Sequence, residues 1–398
     1  MPASPVPPVV GSTSASRSPS RALVPLFRRS APLRPADILA LWIAICTWSH
    51  SPVVAAPPDS PAEGASLRAG DRIAWVGSSS TKIGVWTRTV EFLLRTRHPG
   101  LGLHFRRFTT GGGSFATGLE HLDEWLDDFR PTVVVFNYGG NDARAGREGL
   151  GRFKDDMKRC VAAARAHGAR VLLVTPQAAD ARKSGAEAAA RRALYAETML
   201  AFGRERGWTV IDVHHPLEAM QRANERDEPA YTILKDTIHL TDAAYVGWGF
   251  FVYDRLDLPF ARSDAVLTAA GRVTATERCE IRDVVADEGG VSFTRIDEVL
   301  PILPPSPLPP RLSVPLEAQS RYLLTVTDLA AGEYEIRCED RPIGTVDAGT
   351  LAVGVNLNSL LLDGRRDAPW GTPALAIWKE ERLDEIGRTG WRFEVRMR

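Results

Sequence analysis

Thr132–Asp142 reads TVVVFNYGGND, five β-branched or aromatic residues followed by Asn-Tyr and then a Gly-Gly-Asn-Asp turn. The run Thr132–Phe136 is short, β-rich and continuously apolar rather than alternating, which predicts a strand covered on both faces, as in a parallel sheet. The glycines and Asn-Asp that follow are turn chemistry at its carboxyl end. Four more runs repeat the pattern: Arg72–Val76 (RIAWV), Leu103–Phe108, Arg170–Thr175 (RVLLVT) and Thr209–Val213 (TVIDV). Between them, Leu119, Leu122, Leu126 and Phe129, and then Phe153, Met157, Cys160 and Val161, recur at the three- and four-residue spacing of a helix face. Alternating strands and helices predict an α/β domain with helices on both faces of a parallel sheet. Ligand sites in such a sheet form beyond the carboxyl ends of the strands.

Small-residue turns stand at those ends: Gly77-Ser78-Ser79-Ser80-Thr81 after the first run, Gly111-Gly112-Gly113-Ser114 after the second, Gly139-Gly140-Asn141-Asp142 after the third. Downstream, Lys235-Asp236-Thr237-Ile238-His239 places an acid three residues before a histidine, ahead of the stretch DAAYVGWGFFVYDRL. A serine hydroxyl becomes a nucleophile when a base takes its proton, and the base works best when a carboxylate fixes its tautomer. Glycine turns expose backbone N–H groups, and an asparagine adds an amide, for a developing oxyanion. Taken singly, the serine turn is a flexible loop and the Asp236/His239 pair a helix cap. His214 and His215, near Asp212, read as loop or wall residues rather than metal ligands, and Trp86 as core.

In family order, these four blocks resemble those of the SGNH (GDSL-type) hydrolases. The likeness runs from about Arg72 to Leu256. It implies a flavodoxin-like three-layer αβα fold and a serine esterase. Carried over residue by residue, Ser79 is the nucleophile, His239 the base and Asp236 its orienting acid. Gly112, Asn141 and the Ser79 amide form the oxyanion hole. No metal or organic cofactor is implied. The chain departs from the family at Ser78, where an aspartate usually precedes the nucleophile and buttresses its turn. That departure keeps a second reading open: a carbohydrate- or partner-binding protein on the same fold with impaired catalysis. Acyl transfer to a sugar would use the same residues as hydrolysis.

The 398 residues carry 49 Lys+Arg and 49 Asp+Glu, a balance without the basic excess expected of a nucleic-acid-binding face. Residues 1–36 are rich in Pro, Ser and Arg and lack acids. They precede the apolar run Ile38–Trp48 and then Val54-Ala55-Ala56, the layout of an export signal over residues 1–56. An organelle transit peptide is the minor alternative. The run is about half of the ~20 residues a spanning helix needs, so no stable membrane anchor is expected. Cys46 follows Ile45 and reads as part of the removed segment rather than as a lipid-attachment site. The hydrolase domain is assigned to residues 57–263, with a small-molecule or carbohydrate ester as its substrate and a location outside the cytoplasm.

Beyond residue 263, alternating segments such as GGVSFTRID, RYLLTVTDL and GEYEIRCED predict a small antiparallel β module, a sandwich, over residues 264–398. Val299–Pro315 is Pro-dense and reads as an extended linker. Cys279 and Cys338, each in a β segment, are candidates to pair in an oxidising compartment. Trp378, Leu383 and Ile386 are at helical spacing, a segment able to pack back on a domain.

Overall fold

The computed structural model describes residues 66–259, 261–302, 311–312, 319–362, 368–378 and 390–398. The leader 1–56, the middle of the Pro-dense stretch, and Leu383 and Ile386 lie outside the described residues. No described helix is long and apolar enough to cross a membrane.

All five expected strands form, each within a residue or two of its sequence bounds: β1 Arg72–Gly77, β2 His104–Thr109, β3 Val133–Asn137, β4 Arg170–Val174 and β5 Thr209–Ile211. They make one all-parallel sheet in the order β2-β1-β3-β4-β5. In this order the chain leaves β1 in one direction for β2, then returns past it to β3. The switch point lies between β1 and β3, where α/β sheets open a crevice. The interior of the sheet is apolar, with every residue of β3 buried. Among the helices are α1 Ser79–Ile83, α2 Val85–Arg97, α3 Phe115–Phe129, α4 Leu150–Ala166, α5 Ala186–Arg206, α6 His214–Glu225 and α7 Asp242–Asp254. The α4 face is buried as its spacing predicts, at Phe153, Met157, Cys160 and Val161. On α3, Leu122 and Leu126 are buried, while Leu119 and Phe129 pack at the margin. Trp86 is core, stacked on Trp248 at 5.1 Å and edge-on to Trp75 at 5.3 Å.

The change of character comes at β6, which spans Ala261–Thr268, so residue 263 falls inside a strand. β6 belongs to a four-stranded sheet in the order β13-β10-β6-β7, with β7 Val273–Glu277, β10 Ser320–Thr327 and β13 Val355–Asn356. A five-stranded sheet runs β12-β11-β14-β9-β8, from β8 Cys279–Asp287, β9 Gly290–Asp297, β11 Glu333–Cys338, β12 Arg341–Asp347 and β14 Gly390–Met397. Every pairing here is antiparallel except β6 with β10, which run parallel from Ala261/Ser320 to Thr268/Thr327. The expected all-antiparallel module is corrected at this pair. Parallel neighbours need a crossover of a dozen residues or more, and β7 to β9 supply one. Cys279 and Cys338 are unpaired. They sit on β8 and β11, three strand spacings apart at ~4.8 Å each, beyond the reach of a disulfide.

Arg97, fully buried at the end of α2, ties the two parts together. Its guanidinium donates to the carbonyls of Leu300 (2.7 Å), Ala261 (2.9 Å) and Gln319 (3.2 Å), and to Ser320 Oγ (3.2 Å) and the Tyr322 hydroxyl (3.3 Å). The Pro-dense stretch is anchored at both described ends. Leu300 N donates to Thr96 O (3.0 Å), and Arg311 exchanges hydrogen bonds with Asn224 (2.8 and 3.0 Å).

Candidate active site

Ser79 is the first residue of α1, reached one residue after β1 ends. The turn is tight because Gly77 has no side chain: a Cβ there would lie 2.2 Å from Thr81 Oγ1 and 2.8 Å from Asn137 O. Ser78 makes no capping hydrogen bond. Neutral groups hold the turn instead. The Thr81 hydroxyl donates to Asn137 Oδ1 (3.5 Å), Asn137 Nδ2 donates to Val174 O and Thr175 O (3.4 and 3.3 Å), and the Tyr245 hydroxyl donates to Ser80 Oγ (3.2 Å). Thr81 and Asn137 are buried, so the network that holds the turn carries no charge.

The second histidine partner comes from a loop, not from a helix. Residues 233–241 close on themselves through Lys235 N to His239 O (2.8 Å) and Thr241 N to Ile233 O (2.8 Å). α7 is capped by Thr241, whose side chain accepts from Ala244 N (3.2 Å), so Asp236 and His239 are not its cap. Asp236 Oδ1 accepts from the backbone N–H of both Ile238 and His239 (2.7 Å each), an Asx-type turn that aims the second oxygen. Oδ2 lies 2.9 Å from His239 Nδ1, and His239 Nε2 lies 3.0 Å from Ser79 Oγ. These donations, that of the His239 N–H foremost, hold the Asp236 carboxyl far below the usual carboxylate range. These bonds favour the charged carboxylate. With Asp236 accepting, Nδ1 carries the proton and Nε2 is free to accept from the serine.

Asn141 lines the same crevice as Ser79, together with Pro176, Gln177, Arg192 and Ile238. One proton of its amide goes to Gly113 O (2.9 Å). An amide nitrogen has two, so this bond fixes the group and leaves the second for a ligand. Asp142 reinforces the loop by accepting from Gly139 N (2.9 Å) and Phe115 N (3.3 Å), although burial pushes its carboxyl up. Gly112 is different. It has a φ of +71°, which favours glycine, but it is exposed and does not line the crevice. Gly113, buried beside it, is the residue that Asn141 touches.

Three contributors escaped the sequence reading. Gln177 donates to Ile238 O (3.2 Å) and so positions the histidine loop, and Tyr245 braces Ser80. Arg192, on α5, borders the crevice and is buried. A signal for Arg192 was present: it falls in step with the buried Tyr195, Ala196 and Met199, a charged residue on an apolar helix face. His214 and His215 engage carboxylates separately: His215 contacts Asp212 (2.6 Å) and Glu197 (2.8 Å), and His214 lies 3.6 Å from Glu218.

Residues 70–246 match the model of the GDSL-like Lipase/Acylhydrolase family. The chain carries a GDSL-like lipase/acylhydrolase domain. That family acts on ester bonds, and the five-stranded sheet with its flanking helices is the SGNH fold. A gut microbial diltiazem-metabolizing enzyme superposes with a TM-score of 0.65 at 20% identity, over 80% of this chain and 79% of its own. The match extends well past the hydrolase domain and so includes β-module residues; at this identity it is a likeness of fold. An acetylxylan esterase from Geobacillus stearothermophilus, as a catalytic mutant, aligns at 15% identity with a TM-score of 0.41, over 50% of this chain and 99% of that one. A lipase/acylhydrolase from Enterococcus faecalis aligns at 19% identity with a TM-score of 0.39, over 46% and 94%. No curated protein matches the sequence.

Proposed function

We propose that the protein is an exported serine esterase that removes short acyl groups, acetyl above all, from carbohydrate. The observation that carries the chemistry is the continuous chain Ser79 Oγ, His239 Nε2, His239 Nδ1, Asp236 Oδ2, with links of 3.0 and 2.9 Å. In this reading His239 takes the Ser79 proton as Oγ attacks the ester carbonyl, and Asp236 steadies the imidazolium. The second Asn141 amide proton and the Ser79 N–H receive the oxyanion; Gly112, exposed and off the crevice, is left out of the hole. His239 then protonates the departing sugar oxygen, leaving an acyl-Ser79 that water, activated by the same histidine, hydrolyses.

The size of the crevice supports a short acyl group. It offers about 20 Å³, little more than the ~10–15 Å³ one water-sized probe occupies. A space that small beside Ser79 suits a methyl better than a long chain. The leader and the β module support export and a carbohydrate substrate.

A series of 4-nitrophenyl esters tests this. Acetate should be turned over at least about tenfold better in kcat/KM than octanoate, the scale on which a pocket rejects extra methylenes. Ser79→Ala and His239→Ala should each remove ~10⁴–10⁶ of kcat, nearly equally, since the two act as a unit. Preserved turnover in Ser79→Ala would exclude the mechanism; a preference for octanoate would exclude the short-acyl assignment.

A further inference from the structure

Arg192 has no task in the esterase chemistry and no partner among the described residues. It is 7% exposed, and its buried Nη1 makes no hydrogen bond. Burial works against its charge, and so does the neighbouring Arg144; Tyr245 and Asp236 favour the charge more weakly. Asp236 is itself committed to His239 and two backbone N–H groups. A buried guanidinium with unmet donors is costly to keep, and the cost falls when an anion enters.

Such a space is at hand. Beyond the serine crevice, and sharing Gly140, Asn141, Arg192 and Ile238 with it, lies a cavity of about 220 Å³. Arg144 and Arg191 also line it, and among the described residues no aspartate or glutamate does. Arg191 pairs with the exposed Glu187 at 2.5 Å, whereas Arg144 is exposed and makes no ion pair among the described residues. The cavity is smaller than the ~300–1,000 Å³ of a drug-sized site, which suits one sugar ring.

Resting on the esterase reading, we propose that this cavity is a subsite for a carboxylate, held by Arg192 and Arg144, and that the substrate is an acyl ester of an acidic sugar. A guanidinium meets a planar carboxylate through two parallel N–H···O bonds, so the two arginines would fix the ring and aim its acyl ester at Ser79.

The probes are O-acetylated methyl glucuronoside and its neutral carboxamide. Acetate release from the glucuronoside should be favoured about tenfold or more in kcat/KM, the scale of one charge-assisted bond. Raised salt should narrow that preference. In Arg192→Gln and Arg144→Gln the preference should fall toward one, mainly through KM. If Arg192→Gln does not fold, the exposed Arg144 carries the test. Equal kcat/KM for the two probes in the unmodified enzyme, or an undiminished preference in Arg144→Gln, would overturn the subsite while leaving the esterase intact. Calorimetry of glucuronate on full-length Ser79→Ala separates the two failures. Binding there that Arg144→Gln abolishes sustains the subsite even if no ester is turned over, and no binding refutes it.

Discussion

The molecule buries arginines in three places and treats them in two ways. Between the α/β domain and the β module, Arg97 donates to five acceptors. Within the β module, Arg295 pairs with Asp297 at 3.0 Å and donates to Ser263 O (2.6 Å), Ser263 Oγ (3.0 Å) and Leu323 O (3.2 Å). At the cleft, Arg192 is nearly as buried and bonds to nothing described. A buried charge that spends its amino groups on the fold joins its elements, although Arg97 keeps its Nε without a partner; one that makes no hydrogen bond, at a cavity, is held ready for something from outside. The contrast is one of partners, not of burial, and substitution can test it.

Arg97→Met should show the largest stability loss, ~3–5 kcal/mol by chemical denaturation, because it strands several buried carbonyls at once. A loss below about 1 kcal/mol would mean that apolar packing alone joins the two parts. On the cleft side, Asn141→Ala should cost ~10²–10³ in kcat with little change in KM or stability, the signature of a lost oxyanion donor. An effect confined to KM would place Asn141 in ground-state binding instead.

His98 adds a pH-dependent test at the Arg97 end. Burial, then the charges of Arg97 and Arg278, lower its pKa to about 4 from an ordinary 6.5, while Nε2 lies 2.9 Å from the Tyr253 hydroxyl. The histidine is neutral when folded, so as pH falls below 6.5 the unfolded chain takes up a proton first. Stability should therefore drop by roughly 2–3 kcal/mol between about pH 6.5 and 4 from this group. His98→Gln should flatten that window, measured as denaturation midpoint against pH; an unchanged slope would show that His98 is not its source. The smallest effect belongs to Arg192→Met, expected to leave stability unchanged or raise it by about 1 kcal/mol, since it removes an unpaired charge. A loss like that of Arg97→Met would erase the contrast.

Much of this was legible in the chain because it is local. TVVVF followed by GGND encodes a buried strand and its turn within eleven residues, and Asp236/His239 meet across a three-residue turn. What escaped depends on register and on distant neighbours. Nothing near Ser320 announces that its strand runs parallel to one about 60 residues earlier. The separation of Cys279 from Cys338 follows from two intervening strands, β14 and β9. Nor does the glycine run at 111–113 reveal that Gly113, rather than Gly112, meets Asn141. Arg192 and Arg295 share one clue: each sits where periodicity demands an apolar residue, Arg295 alternating inward with Val291 and Phe293. Such a charge marks either a buried network or a ligand, and only the partners found in the fold tell which.

Activation of Ser79 by His239 is tested by reaction of the full-length protein with a fluorophosphonate probe at neutral pH, followed by peptide mass spectrometry. A single modification on Ser79 that disappears in His239→Ala is the expected result. An unlabelled Ser79 in folded protein, or labelling that survives His239→Ala, would contradict it.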